Sequence, residues 1–163
     1  MQIRHYSIIR PCTKDVKKFD QTLLDIKKEM QELCERTNGI GLSASQVGLE
    51  ERLFIFQREN GNWILVCNPK MIPQKNEGLQ RHVEGCLSVP NEAFEVRRWA
   101  KVNASWQDEN GNFVEEELSG RNAQVFQHEF DHLVARSIVD RAKSQYRSSR
   151  FEASRQKKKR SKK

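Results

Sequence analysis

The segment Gln127-His128-Glu129-Phe130-Asp131-His132 determines how the rest of the chain has to be arranged. Its two histidines stand four positions apart, so on a helix their imidazoles lie on one face and can converge on one ion. Glu129 lies between them and can handle protons without being a ligand. The segment therefore predicts a helix that contributes two ligands to a metal site.

A hydrolytic metal site needs a third protein ligand and one open position. The protease motif that continues with a glycine and a third histidine is excluded, because Ala135 and Ile138 occupy those positions. A second protease class takes a glutamate about twenty residues after the second histidine. Glu152 stands there, but in a basic, low-complexity stretch that is a poor scaffold for a ligand. The third candidate is Cys86, whose turn-like and strand-like flanks could present a thiolate from outside the helix.

Two stretches have the apolar spacing of an amphipathic helix. Between Asp15 and Thr37 the apolar residues recur every three or four positions, and Asn38-Gly39 is a typical helix end. A second helix is expected from Gly120 to Val134, with Ser119 as its N-cap. This second helix would carry both histidines.

Two Asn-Gly pairs, Asn60-Gly61 and Asn110-Gly111, predict two β-hairpins. The strands expected around them are Arg52–Gln57, Trp63–Cys67, Val102–Trp106 and Phe113–Leu118. Pro69 and Pro73 are expected to end the pairing after the first hairpin. The order of helix, strands and helix favours an α+β fold with antiparallel hairpins over alternating βαβ units.

Charge is unevenly distributed along the chain. The 163 residues carry a formal net charge of +7, yet residues 136–163 contain 12 lysines and arginines against two acidic residues. Such a block is typical of a solvated tail, and a polyanion is its natural partner. We therefore divide the chain into a catalytic domain, residues 1–142, and a basic tail, residues 143–163, that is expected to be disordered.

The sequence also bears on cellular location. No apolar run approaches the roughly 20 residues that span a bilayer, and the first residues lack the apolar stretch of a secretory signal. The four cysteines, Cys12, Cys34, Cys67 and Cys86, form no C-x-x-C pair, and reduced thiols are expected. We predict a cytoplasmic monomer without membrane contact, from a bacterium or from a phage that infects one.

Three motifs of the chain resemble the signature motifs of the peptide deformylases. They are Gly39-x-Gly41-Leu42-x-Ala44-x-Gln46, Glu84-Gly85-Cys86-Leu87-Ser88 and Gln127-His128-Glu129-x-x-His132, in the family's order and at family-like separations. The resemblance covers residues 1–141. It implies antiparallel sheets packed around a central metal-binding helix. It also implies a hydrolase that removes the formyl group from the N-terminal formyl-methionine of nascent polypeptides and releases formate.

The resemblance implies a ligand set and an acid–base group. Cys86, His128 and His132 would hold one divalent ion, with Fe²⁺ as the native metal and Zn²⁺, Ni²⁺ or Co²⁺ able to replace it. Glu129 would act first as general base toward the attacking water and then as general acid toward the departing amine.

Further positions would bind the substrate or stabilise the charge that develops on the formyl oxygen. The resemblance assigns the stabilisation of that charge to the Gln46 side-chain amide and the Leu87 backbone N–H. The positions that it assigns to substrate binding are Ile40, Gly41, Glu84, Gly85, Arg97 and Val125. Arg98 adjoins Arg97, so the register at this position stays open, and the Glu84 carboxylate would also orient neighbouring groups. Where the family is richer in Leu and Ile, this chain has Arg121 and Gln124, which would make the side-chain pocket shallower or more polar.

Two other functions remain open from the sequence. One is a metalloprotease with Glu152 as its third ligand, and the other is a basic RNA-binding protein that carries an inactive metal fold. The presence of Glu129 and all three ligands argues against a loss of catalysis. For a deformylase, residues 143–163 would either bind ribosomal RNA through phosphate contacts or serve as a solubilising end.

Overall fold

Two antiparallel sheets and several helices make up the fold of residues 1–145, which are the residues that the computed structural model describes. The strands are β1 Gly41–Ser43, β2 Leu53–Gln57, β3 Trp63–Pro73, β4 Leu79–Cys86, β5 Val89–Trp99, β6 Lys101–Gln107 and β7 Phe113–Ser119. The helices are α1 Gln21–Arg36, α2 Ala44–Val47 and α3 Gly120–Leu133, with 3₁₀ turns at Tyr6–Ile8 and Lys75–Glu77. One sheet has the order β1-β2-β3-β6-β7, and the other is the β4-β5 hairpin. None of the helices in this part of the chain is both long and apolar enough to cross a membrane.

The first helix begins later than predicted. The Asp20 side chain accepts hydrogen bonds from the backbone N–H groups of Thr22 and Leu23 and so caps the N-terminus of α1. Val16 and Phe19, which share the helical spacing, therefore precede the helix. The Val16 backbone bonds instead to the Asn68 side chain, whose Oδ1 accepts the Val16 N–H and whose Nδ2 donates to the Val16 carbonyl.

Both hairpins that the Asn-Gly pairs predict are confirmed. β2 pairs with β3 from Leu53 opposite Cys67 to Gln57 opposite Trp63. β6 pairs with β7 along their full lengths. Gly61 and Gly111 have positive φ angles of 87° and 81°, the conformation that these turns require.

The prediction that Pro69 and Pro73 end the pairing holds for the β2-β3 hairpin, whose last pair is Leu53 opposite Cys67, but not for strand β3 itself. β3 runs as far as Pro73, pairing with β2 up to Cys67 and with β6 from Lys70 onward. The register shifts between Cys67 and Lys70, and Asn68 in this interval has a φ of 54°. Pro69 therefore lies in a bulge-like irregularity, where its missing N–H costs the sheet no hydrogen bond.

The β4-β5 hairpin is the part of the fold that the sequence did not predict. Its strands carry polar and charged residues on both faces, so period-two alternation does not mark them. Pairing runs from Leu79 opposite Trp99 to Gly85 opposite Ala93 and then shifts, so that Cys86 lies opposite Val89. The shift leaves Cys86 at the end of β4, beside α3.

Helix α3 packs against the five-stranded sheet. Its buried residues are Ala123, Val125, Phe126, Gln127, Glu129, Asp131, His132 and Leu133. The Phe126 ring lies 5.1 Å from that of Phe54, 6.2 Å from that of Phe56 and 5.9 Å from that of Trp106. The predicted helix is confirmed and begins after Ser119, although that side chain makes no capping hydrogen bond. The aromatic contacts fix which face of α3 is turned away from the sheet.

A smaller apolar cluster joins the β4-β5 hairpin to residues 138–145, which are helical and are called the terminal helix below. Val89 and Val96 of β5 pack there with Ile138 and Val139. The terminal helix spans the boundary that the sequence placed after residue 142. The rest of the basic tail, residues 146–163, lies outside the described residues.

Candidate metal centre

The three residues predicted as ligands meet at one point. Cys86 ends β4, and the two histidines lie one turn apart on α3. Their possible ligand atoms all lie within 4.8 Å of one another. Cys86 Sγ is 3.3 Å from His132 Nε2, and the ring centroids of His128 and His132 are 5.0 Å apart. Two parts of the chain that are distant in sequence thus form one donor cluster.

A carboxylate fixes the orientation of one histidine ring. The Nδ1 atom of His128 lies 2.9 Å from Glu84 Oε2. Because a carboxylate can only accept here, Nδ1 carries a proton, and in the neutral ring Nε2 keeps its lone pair. A carboxylate behind the ring is the arrangement that orients histidines in metal sites.

The cluster favours a positive charge on His128 and a neutral ring at His132. Burial lowers the pKa of His128, but the hydrogen bonds with Cys86 and Glu84 and the charge of Glu129 outweigh it and raise that pKa to about 10. Burial and the charge of His128 hold the pKa of His132 well below its usual range. One sulfur and two imidazoles are a donor set that Zn²⁺ and Fe²⁺ accept, and a divalent ion would replace the proton. These residues therefore fit a metal.

Glu84 belongs to a buried charge network, formed by Glu84, Arg98, Asp131 and Arg141, that the sequence motifs do not predict. Arg98 donates from Nε to Glu84 Oε1 at 3.0 Å and from Nη2 to Oε2 at 2.7 Å. Its Nη1 donates to Asp131, which also accepts from Arg141 Nε at 2.8 Å. Burial raises the pKa of Glu84, but the hydrogen bonds from His128 and Arg98 outweigh it and lower that pKa to about 2.

Glu129 has a different environment from Glu84. It is 3% exposed, and its Oε2 has no hydrogen-bond partner within residues 1–145. Burial is the main cause that raises the pKa of Glu129 to about 7. A Cβ at Gly41 would lie 2.5 Å from Glu129 Oε1, so the glycine leaves the space that the carboxyl occupies. A carboxyl with a pKa near neutrality can both accept and return a proton.

The Gln46 side chain is held beside the donor cluster. Its Oε1 accepts the backbone N–H of Ser43 at 2.8 Å, and its Nε2 donates to Ser88 Oγ at 3.0 Å. The same Nε2 lies 3.7 Å from Cys86 Sγ. The amide group is thus fixed at both ends, with its N–H groups turned toward the cluster.

Comparison with known proteins decides the family. Residues 1–148 match the family described as polypeptide deformylase. The chain belongs to the peptide deformylase family. The peptide deformylase of Thermotoga neapolitana is 41% identical over 136 residues, which cover 83% of this chain and 82% of that protein. The peptide deformylase of Zymomonas mobilis is 39% identical over 140 residues, which cover 81% and 78%.

Solved structures of peptide deformylases have the same fold. That of Thermotoga maritima gives a TM-score of 0.80 at 37% identity and covers 86% of this chain and 95% of that chain. That of Synechococcus elongatus, in complex with actinonin, gives 0.81 at 31% identity and covers 86% and 78%. The α+β fold and the deformylase function expected from the sequence are confirmed, and the metalloprotease alternative is not favoured. Glu152, on which that alternative depended, lies outside the described residues.

A cavity of about 730 Å³ opens at the donor cluster of this deformylase. The predicted site residues that line it are Ile40, Gly41, Gln46, Glu84, Gly85, Cys86, Leu87, Val125, His128 and Glu129. Gln124 also lines the cavity and donates to Glu84 Oε1 at 3.3 Å. Arg121 is exposed in the first turn of α3 and does not line it. Of the two polar replacements on α3, only Gln124 therefore changes the cavity wall.

Arg97 lies away from the cavity of the deformylase. Its backbone N–H donates to Gln145 Oε1 at 3.0 Å, and its carbonyl accepts from Gln145 Nε2 at 3.1 Å. Successive side chains of a strand point to opposite faces, and it is Arg98 that faces α3. The expectation that Arg97 binds the substrate thus has no support in its position. Asp131, an acid inside the histidine motif, was the sequence signal for a buried basic partner.

Proposed function

We propose that Cys86, His128 and His132 hold one divalent ion in this peptide deformylase, and that Glu129 and Gln46 act on the formyl group beside it. The observation that carries the proposal is the meeting of one thiol and two imidazoles next to a buried carboxyl without a partner for its Oε2 within residues 1–145. When bound, the ion supplies Lewis-acid chemistry and lowers the pKa of water. Fe²⁺ is the native metal that we propose, with Zn²⁺, Ni²⁺ or Co²⁺ as replacements.

Glu129 is the proton carrier in this proposal. Its Oε2 atom takes a proton from the water that attacks the formyl carbon and later delivers it to the amine nitrogen of the leaving peptide. The absence of a hydrogen-bond partner for Oε2 within residues 1–145 supports this role, because no protein group competes for the proton. Burial supports it as well, since the pKa of Glu129 lies near neutrality.

Gln46 and Leu87 stabilise the charge that develops on the formyl oxygen. The Gln46 Nε2 group is held beside Cys86 by hydrogen bonds at both ends of its amide, so it needs no reorganisation during the reaction. Leu87 follows Cys86 directly and lines the same cavity, which supports the proposed role of its backbone N–H. Formyl is the smallest acyl group, so a tight pocket at this point rejects larger acyl chains by size.

The rest of the cavity binds the formyl-methionyl end of the nascent peptide. Ile40 and Val125 supply apolar wall, and the open space at Gly85 leaves room for the peptide backbone to approach. Gly41 instead makes room for the Glu129 carboxyl beside the substrate. Glu84 supports His128 rather than contacting the substrate. Gln124 makes one wall polar, so we expect side chains other than methionine at the substrate N-terminus to be tolerated better than by an apolar wall.

The basic tail is the proposed contact with the ribosome. Residues 143–163 would bind ribosomal RNA through phosphate contacts, in the cytoplasm of a bacterium or of a phage-infected cell, with the enzyme acting as a monomer. Deletion of residues 146–163 spares the Gln145 contact with Arg97 and tests this directly. Ribosome affinity that falls steeply with salt in the full chain and is lost in the deletion supports the contact. Unchanged affinity at low salt contradicts it.

The central experiment compares the wild type with Cys86→Ala under anaerobic conditions. We expect one metal ion per chain and hydrolysis of a formyl-Met peptide in the wild type, and neither in Cys86→Ala. Cys12→Ala is the matched control, because Cys12 is not among the clustered ligands and burial raises the pKa of its thiol to about 11. If Cys86→Ala retains both activity and metal, the proposal is wrong. Activity lost in Glu152→Ala would favour the protease ligand set instead.

A further inference from the structure

The terminal helix approaches the metal site with one charged side chain. Ser137 and Asp140 cap its N-terminus, since Asp140 Oδ2 accepts the Ser137 N–H at 2.9 Å and the Asp140 N–H donates to Ser137 Oγ at 3.3 Å. One turn further on, Arg141 donates from Nε and Nη2 to the two carboxylate oxygens of Asp131. The side chain of Asp131 is 6% exposed and that of Arg141 is 26% exposed. The pair is therefore a largely buried, two-point contact.

From Asp131 the charge network continues to the donor cluster. Asp131 accepts from Arg98, Arg98 donates twice to Glu84, and Glu84 faces His128 Nδ1. The network holds two guanidinium groups and two carboxylates, so its formal charge is balanced. Arg98 bonds to both carboxylates at once, with Nε and Nη2 on Glu84 and Nη1 on Asp131, and Asp131 has Arg141 as a second cation.

We propose that Arg141 is a positioning residue for the metal site, acting through Asp131, Arg98 and Glu84 on the ring of His128. This inference rests on the proposed assignment of His128 as a ligand. Without Arg141, two buried carboxylates share one guanidinium, and a net negative charge remains in a region with little water. Arg98 is then drawn toward Asp131, and the two-point contact that holds Glu84 behind the imidazole loosens.

The terminal helix has other attachments that a substitution at Arg141 leaves in place. Ile138 and Val139 keep their contacts with Val89 and Val96, and Gln145 keeps both hydrogen bonds to the Arg97 backbone. Replacing Arg141 thus removes the charge contact with Asp131 without detaching the helix. A defect in metal binding would then report on the charge network rather than on a lost element of the fold.

The test measures Co²⁺ binding, which needs no catalytic activity. Metal-free Arg141→Met, Arg141→Lys and wild-type protein are titrated with Co²⁺ against a coloured chelator, and the thiolate-to-cobalt absorption band is recorded. We expect about tenfold weaker Co²⁺ binding and a shifted band for Arg141→Met, as for loss of an outer support of a ligand. Arg141→Lys keeps the charge but loses the fork geometry, so it should recover part of the affinity.

The matched control is Arg136→Met, which removes an equal charge from an exposed position in the same segment. It should bind Co²⁺ like the wild type. All titrations are made at a temperature at which circular dichroism shows each variant folded. Affinities and spectra for both Arg141 variants that equal those of Arg136→Met overturn the proposal. If Arg141→Met does not fold, the Co²⁺ affinity of Arg141→Lys compared with that of Arg136→Met decides whether the proposal stands. Failure of the wild type to bind Co²⁺, or retention of binding in Cys86→Ala, contradicts the ligand assignment itself.

Discussion

Helix α3 is held in different ways on its two sides. On the side of the five-stranded sheet, contact is aromatic and apolar, with Phe126 among the rings of Phe54, Phe56 and Trp106. On the side of the β4-β5 hairpin, contact is mostly polar. Gln127 exchanges two hydrogen bonds with the Trp99 backbone, both at 2.9 Å, and the charge network lies beside it. The sheet side fixes where the helix lies, and the hairpin side fixes how its ligands point.

Two glutamates show what this difference does to chemistry. Glu84, on the hairpin side, has a partner for both carboxylate oxygens, and those bonds lower its pKa to about 2 in spite of burial. Glu129, turned toward β1, is equally buried, and burial without a partner for Oε2 within residues 1–145 raises its pKa to about 7. The hydrogen bonds of Glu84 suit it to supporting His128. The Glu129 carboxyl, whose Oε2 has no partner within residues 1–145, is suited to proton transfer.

The largest expected effect is the loss of the Glu129 carboxylate. Glu129→Gln keeps the shape of the side chain but cannot take up a proton, so kcat for formyl-Met peptide hydrolysis should fall by about 10²–10⁴-fold. Metal content and thermal stability should stay at the wild-type level. Glu115→Gln, on strand β7, is the control and should change neither. A kcat within tenfold of the wild type in Glu129→Gln would assign proton transfer to another group.

The second prediction tests the hairpin side of α3 through the stability of the protein. Arg98→Met leaves Glu84 and Asp131 buried without their shared cation, which should lower the free energy of unfolding by about 3–5 kcal/mol in urea titrations. The neighbouring Arg97→Met is the matched control, because its side chain lies on the other face of β5 and should change that free energy by less than about 0.5 kcal/mol. Equal losses in the two variants would show that the charge network does not hold the hairpin to α3.

A third prediction concerns the space beside Glu129. Gly41→Ala places a Cβ 2.5 Å from Glu129 Oε1 and 2.9 Å from its Cδ, so either the carboxyl or strand β1 must move. A displacement of this kind should lower kcat by about 10–100-fold. If the effect acts through Glu129, adding Gly41→Ala to Glu129→Gln should lower kcat little further. A full additional loss in the double variant would place the damage elsewhere, for example in substrate binding.

The two sides of α3 also differ in how far the sequence predicts them. The sheet side follows from apolar periodicity and two Asn-Gly turns, and the histidine spacing follows from helix geometry; these signals are local. The hairpin side depends on pairing register. Arg97 and Arg98 are the same residue type, and only the register that sets Arg98 opposite Gln80 directs it toward α3. Cys86 could be assigned from its motif, whereas Arg141 has no local signal because its partner is ten positions away.

The smallest effect that we predict concerns the join between the hairpin and α2. Ser88→Ala removes the acceptor of the Gln46 Nε2 hydrogen bond at 3.0 Å, while the bond from Ser43 N–H to Gln46 Oε1 remains and keeps the amide nearly in place. Loss of one hydrogen bond of about 0.5–1.5 kcal/mol should reduce kcat by roughly 2- to 12-fold. KM should change little, because Gln46 acts on charge that develops only in the transition state.

Ser45→Ala is the control, since the equally buried Ser45 Oγ bonds to the His132 carbonyl at 2.9 Å and not to Gln46. Both variants should be destabilised to a similar extent, but only Ser88→Ala should have a lower kcat. A higher KM with an unchanged kcat in Ser88→Ala would instead place Ser88 in substrate binding.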